Sequence, residues 1–184
     1  MDERRRRNWS NILLVAMAAI LVAVFAPRMC RSPLLAPGTT GPPFSLARVT
    51  GPGRLTLGDL QGRRAVLFFW ATWCRYCKQM LPGLAALAGE RTDVRFVAVH
   101  ADPEATVAEL AAWARRFPVL SFVEGGERIV RAWRVDTFPT TYVLDARGRI
   151  CGGFAGTTSS DVIDVVLDRC PRATAVPMDA GGGR

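Results

Sequence analysis

The chain has 184 residues, 49% of them apolar and 22% charged, so one domain with a full apolar core and some additional chain is expected. Its formal charge is +8, but Arg4–Arg7 form the only dense basic run and the other arginines are interleaved with acids, which argues against nucleic acid as a partner. Five cysteines (Cys30, Cys74, Cys77, Cys151 and Cys170) are too few for a disulfide-dense mini-protein.

The N-terminus has the grammar of a membrane segment. Residues 1–10 carry the four arginines, and Asn11 to Ala26 carry no charge and are mostly Leu, Val, Ala and Ile. We read residues 1–10 as a cytoplasmic basic segment and 11–28 as a transmembrane anchor, with everything beyond it outside the bacterial cytoplasmic membrane. A helix of that apolar length spans about 24 Å, short of a ~30 Å hydrocarbon layer, and Trp9 and Arg28 at its ends would cover the difference. A cleaved signal peptide is the competing reading. Against it, Pro27 follows the nearest cleavage-like triplet, and the residues before Cys30 make a poor lipid-attachment motif. Residues 29–43, rich in Pro and Gly, read as a linker, and 171–184 as a flexible tail.

Residues 44–170 read as a compact α/β domain. Phe44–Leu46 and Leu55–Leu57 suggest a hairpin around Gly51-Pro52-Gly53. Ala65–Trp70 is a continuous apolar run, as in a strand covered on both faces, and Val94–Val99 is a second strand. A helix is expected from about Cys74 to Leu87, and another from Glu104 to Phe117 with Val107, Leu110, Ala111 and Ala114 on one face. Leu120–Val123 reads as a brief strand and Glu127–Trp133 as one or two helical turns. Thr141–Leu144 and Arg149–Cys151 suggest a hairpin, and Asp161–Arg169 a closing helix capped by Thr158 or Ser160. The order implies a mixed central sheet flanked by helices.

The chemistry is carried by Trp70-Ala71-Thr72-Trp73-Cys74-Arg75-Tyr76-Cys77, which follows the buried strand and opens a helix. Cysteines three apart on a first helical turn bring their sulfurs to one side, within bonding reach. Cys74 would sit at the helix N-terminus, where free N–H groups and the helix dipole favour a thiolate. Cys77, one turn deeper, would resolve the mixed disulfide that Cys74 forms.

This segment resembles the active-site segment of the thioredoxin superfamily, and is most similar to its membrane-anchored TlpA/ResA-like branch. Pro82 matches a proline that kinks the active-site helix, Thr137-Phe138-Pro139-Thr140 resembles the segment bearing a cis-proline, and Leu57–Gly62 resembles the lead-in to the first long strand. The resemblance implies a thioredoxin fold with an N-terminal β-hairpin extension and the N-terminal anchor. It makes Cys74, Cys77 and Pro139 the catalytic set. Pro139 would also keep metal from the sulfurs. Trp73, Arg75, Tyr76 and Phe138 would bind substrate, the Phe138 backbone pairing with an extended client segment. It implies no cofactor and no metal. The partners would be client proteins with disulfides or thiols, such as apocytochrome c or copper-site proteins, and a membrane or periplasmic electron-donor protein.

The sequence departs from that pattern where proton transfer is concerned. Met80 stands where the branch carries a glutamate, and Phe68 where thioredoxins carry a buried aspartate. Either water or His100, at the end of the second strand, would substitute; the alternative for His100 is a surface histidine. Arg75 beside Cys74 should favour thiolate, while Tyr76 before Cys77 is similar to disulfide isomerases, so the direction of exchange stays open between reductant and oxidase or isomerase. A copper-binding chaperone of this fold is a further alternative, disfavoured by CxxC spacing and a lone histidine. Cys151 and Cys170, adjacent in the expected fold, form either a structural disulfide or two buried thiols.

Overall fold

The computed structural model describes residues 13–21 and 34–172. They fall into two units divided after Pro33. In the first, residues 13–21 form a helix, α1, whose side chains are all exposed. Among the described residues no helix is long and apolar enough to cross a membrane. The rest of the expected anchor, the basic segment, Cys30 and nearly all of the tail lie outside the described residues.

The second unit is built on a seven-stranded sheet. Its strands are β1 (Ser45–Arg48), β2 (Arg54–Thr56), β3 (Arg64–Trp70), β4 (Val94–His100), β5 (Ser121–Glu124), β6 (Thr140–Leu144) and β7 (Ile150–Ala155). They lie in the order β2-β1-β5-β4-β3-β6-β7. The centre is parallel, β4 between β3 and β5, and β1, β2, β6 and β7 add antiparallel pairs at the two sides. All of β3 is buried, which explains its unbroken apolar run: helices cover one face and the β1–β2 hairpin region and a short helix close the other. On the first face lie α2 (Arg75–Glu90), α3 (Val107–Arg116) and α5 (Ser160–Arg169), which contribute Cys77, Leu81, Leu84, Leu110, Ile163 and Leu167 to one core. On the second lie a 3-10 turn (Gly58–Leu60) and α4 (Glu127–Ala132), with Leu60, Ile129 and Trp133 around Phe69 and Tyr142. This is a thioredoxin-like α/β architecture, and the β1–β2 hairpin occupies the place expected for the extension.

Some boundaries differ from expectation for identifiable reasons. Helix α3 starts at Val107, not Glu104. Thr106 and Glu109 form a reciprocal capping box, and Asp102 takes the Glu104 amide in a turn. Val107 is therefore a first-turn residue and exposed, not part of the apolar face. Helix α5 is capped by Ser159, whose hydroxyl accepts from the Val162 amide, in place of Thr158 or Ser160. Strand β7 runs to Ala155, because Gly152 and Gly153 pair opposite Val143 and Tyr142.

The Pro/Gly-rich stretch is fastened from Leu34 onward. The Gly38 amide donates to Ile150, Ile150 returns a bond to Thr39, and Gly41 donates to Gly148. Leu34 and Leu35 pack on the second core, and the Leu35 amide donates to the Tyr142 hydroxyl. Gly41 lies so close to Trp133 that a Cβ there would come within 2.6 Å of the indole.

Helix α5 is tied down at several points. Arg91, at the end of α2, pairs with Asp164 and Asp168. Buried Arg64 donates to the Leu167 carbonyl, one of the last carbonyls of α5, and pairs with Asp93. Cys170, just past α5, is disulfide-bonded to Cys151 on β7, with Cα atoms 5.6 Å apart.

Candidate active site

Strand β3 ends at Trp70, and the chain turns through Ala71-Thr72-Trp73 into α2. Cys74 is the N-cap of that helix: its backbone is extended, and its carbonyl accepts from the Lys78 amide. Its sulfur accepts the Cys77 amide at 3.1 Å, which satisfies one of the orphan donors of the first turn. Serine and asparagine do this work at most helix starts; here a sulfur does it. Cys74 and Cys77 are disulfide-bonded with Cα atoms 5.3 Å apart. Both are buried in the core beneath α2, Cys77 completely.

Around this disulfide stands an exposed aromatic rim. Trp73 is 67% exposed and Tyr76 59%, unusual values for such large rings, and Arg75 beside them is also exposed. Trp73 meets Phe138 edge-on with ring centroids 5.8 Å apart. Phe138 is half-buried and Pro139 buried, and the Phe138–Pro139 peptide is cis. The loop before β6 thus comes beside the segment that carries Cys74.

His100 is buried at 3% exposure, not at the surface as one reading had it. It pairs with Trp70 in the β3–β4 register, and the two rings meet edge-on at 5.2 Å. Burial pushes its pKa below the ordinary value, with Asp102 and Glu109 opposing, which favours the neutral ring. Met80 is half-buried and Phe68 fully so, both against the core that contains Cys77, and neither supplies an ionisable group.

A polar cleft of about 330 Å³, which sequence reasoning missed, adjoins Trp73; Thr72, Lys78, Asp102, Glu109 and Trp113 help to line it. The Thr72 hydroxyl donates to Asp102. Burial pushes the Asp102 carboxyl up, but the Thr72 hydroxyl and the Glu104 amide outweigh it and hold the pKa below the usual value. Lys78 lies over the Trp113 ring, 5.9 Å from its centroid. The signal available in the sequence was Asp102-Pro103 just beyond the end of a strand, where open α/β sheets place their sites. Among the described residues no group of three or more His, Cys, Asp and Glu side chains is placed to hold a metal ion.

Residues 37–151 match the AhpC/TSA family. The chain belongs to that family. The thioredoxin-like protein YneN of Bacillus subtilis (strain 168) is 31% identical to it, over 71% of this chain and 78% of that protein. The thiol-disulfide oxidoreductase ResA of Geobacillus kaustophilus (strain HTA426) is 28% identical, over 85% of this chain and 91% of ResA. Among solved structures, a thio-disulfide isomerase from Thermus thermophilus superposes with a TM-score of 0.62 at 27% identity, covering 72% of this chain and 96% of that one. With a bonded CxxC pair at the head of α2, this AhpC/TSA-family chain is a thiol–disulfide oxidoreductase of the ResA type.

Proposed function

We propose that the chain is anchored in a bacterial cytoplasmic membrane by residues 11–28 and that its domain reduces disulfides of client proteins on the extracytoplasmic side. The reading rests on one observation: the Cys74 sulfur receives an amide at the head of a helix while Cys77 lies fully buried behind it. A thiolate at Cys74 is stabilised there, attacks a client disulfide, and is released when Cys77 attacks Cys74. The exposed Trp73 and Tyr76 rings offer an apolar landing surface for the client, flanked by Arg75. The Phe138-Pro139 loop, whose Phe138 ring meets Trp73, pairs its backbone with an extended client segment in this reading. Apocytochrome c and copper-site proteins are the client classes, and a membrane or periplasmic protein supplies the electrons.

Support for the anchor is the exposed apolar helix at residues 13–21 within the uncharged run Asn11–Ala26, after Arg4–Arg7. The Cys151–Cys170 disulfide suits an oxidising compartment. Residues 1–10 would then be cytoplasmic, and the catalytic domain, residues 44–170 with the stretch from Leu34 fastened to it, extracytoplasmic. For proton transfer at Cys77 we assign His100, the one histidine of the sequence, which is buried at the end of β4.

The opposite direction, oxidation or isomerisation, is favoured by Tyr76 and by the likeness to a thio-disulfide isomerase. The reduction potential of the Cys74–Cys77 couple separates them. A value near thioredoxin's ~−270 mV supports a reductant, and one near ~−120 mV overturns it in favour of an oxidant. Metal analysis of the reduced protein tests the copper-chaperone alternative, for which bound copper would be required.

A further inference from the structure

We propose that the hydroxyl of Thr141 is the hydrogen-bond donor that stabilises the Cys77 thiolate when the site is reduced. The inference rests on the thiol–disulfide reading above.

Thr141 is completely buried, and its Oγ1 has no hydrogen-bond partner among the described residues. A buried hydroxyl left unpaired is costly, so its retention calls for a partner in some other state of the protein. The strand register says which face it occupies. On β6, Tyr142 and Leu144 belong to the second core and Val143 to the first, so Thr141 shares the face of Val143. Its cross-strand neighbours are Phe68 on β3 and Phe154 on β7, and both pack in that same first core. Cys77 belongs to it too. Thr141 is therefore the hydroxyl-bearing residue on the face of β6 that carries the first core, the core in which Cys77 is buried.

In the disulfide form Cys77 Sγ is uncharged and a poor acceptor. On reduction it gains a proton or a negative charge, and a thiolate in an apolar core requires a donor. With Met80 and Phe68 apolar, a hydroxyl that donates without giving up its proton meets that need. The step balances as follows. In the mixed disulfide, the Cys77 thiol loses its proton to solvent, by way of His100 as assigned above. Its thiolate, held by the Thr141 O–H, attacks Cys74 Sγ. The Cys74–Cys77 bond forms and the Cys74–client bond breaks. The client sulfur leaves as a thiolate and is protonated by solvent. Two electrons pass from the dithiol to the client, and Thr141 is unchanged.

Thr141→Val keeps the shape and deletes the donor, and Thr141→Ser restores it. In the full chain with Cys30→Ser and Cys74→Ala, the Cys77 pKa, read by thiolate absorbance, should rise by about one unit or more in Thr141→Val and return toward wild type in Thr141→Ser. With Cys74 present, reduced protein is mixed with 5,5′-dithiobis(2-nitrobenzoate), and the two releases of thionitrobenzoate are followed. The first, from attack by Cys74, should be unchanged. The second, from attack by Cys77, should slow about three- to fourfold below the Cys77 pKa. There, tenfold less thiolate is partly offset by the greater nucleophilicity of a more basic sulfur. Well above that pKa the slowing should vanish, which a packing defect would not produce. Equal Cys77 pKa values and equal second phases in wild type and Thr141→Val overturn the proposal. Should Thr141→Val not fold, the ¹³C shifts of Thr141 in the wild-type reduced chain must follow the Cys77 titration, and their indifference to it overturns the proposal equally. Failure of both release phases in wild type would instead refute the thiol–disulfide reading itself.

Discussion

The backbone amide of Cys77 donates to the sulfur of Cys74 at 3.1 Å, so the residue that would resolve the exchange also helps to hold its partner's charge. Two distinct cysteine phenotypes follow. Cys77→Ser should accumulate mixed disulfides with client proteins, because attack proceeds and release does not. Cys74→Ser should accumulate none. Non-reducing electrophoresis after acid quench distinguishes them. In the reduced wild type, Cys74 should alkylate with iodoacetamide first, with its half-maximal pH below the ~8.5 of a free cysteine. Preferential labelling of Cys77 would reverse the assigned roles.

His100 provides a pH signature of stability. Its folded-state pKa lies below the ordinary 6.5 because burial disfavours the imidazolium. Below 6.5 the unfolded chain therefore binds a proton that the folded chain does not, and stability falls as pH drops from there to the folded pKa. Carboxylates such as Asp93 and Asp102, with lowered values, add their losses only at more acid pH. Urea midpoints should show a decline starting near pH 6.5 in wild type and a flat profile over that upper range in His100→Gln. If His100 also moves protons for Cys77, the same variant should alter the pH dependence of disulfide exchange; an unaltered exchange profile removes that role.

The Cys151–Cys170 bond closes a loop with a sequence separation of 19, for which chain entropy gives about 3 kcal/mol of stabilisation. The double variant Cys151→Ala/Cys170→Ala should lose about that much in denaturant unfolding, while the potential of the Cys74–Cys77 couple stays put. An unchanged midpoint would mean that core packing, the Arg91 ion pairs and the Arg64 bond hold the last helix without the disulfide.

Arg64 is buried and charged, and Asp93 neutralises it from a half-exposed position. Asp93→Asn leaves the guanidinium buried with fewer partners and should cost about 2 kcal/mol, less than the 3–5 of fully buried pairs because the carboxylate is partly in water. The same loss should appear in wild type only in acid, as pH falls below the ordinary carboxylate range, because the Arg64 hydrogen bond holds the Asp93 pKa down.

The parts of this molecule legible in the sequence were those in which local pattern and tertiary demand agree. Ala65–Trp70 reads as a buried strand and is one; Cys74 and Cys77 read as a first-turn pair and are bonded. Less legible were features settled by distant contacts. Pro and Gly at 37–43 spell a linker, yet Gly41 and its neighbours are hydrogen-bonded to the turn and strand at 148–150. No local property of Gly41 announces Trp133 against it. Glu104 has helical propensity, but the Thr106–Glu109 box starts the helix later. The burial of His100 depends on Trp70, which only the strand register brings alongside.

The bond between Cys151 and Cys170 has a consequence for biogenesis. A chain that exchanges the disulfides of others must itself be oxidised at one pair before its last helix is locked. Its maturation would then depend on an oxidant of other thiols, and a cell lacking that oxidant should lose this oxidoreductase as well.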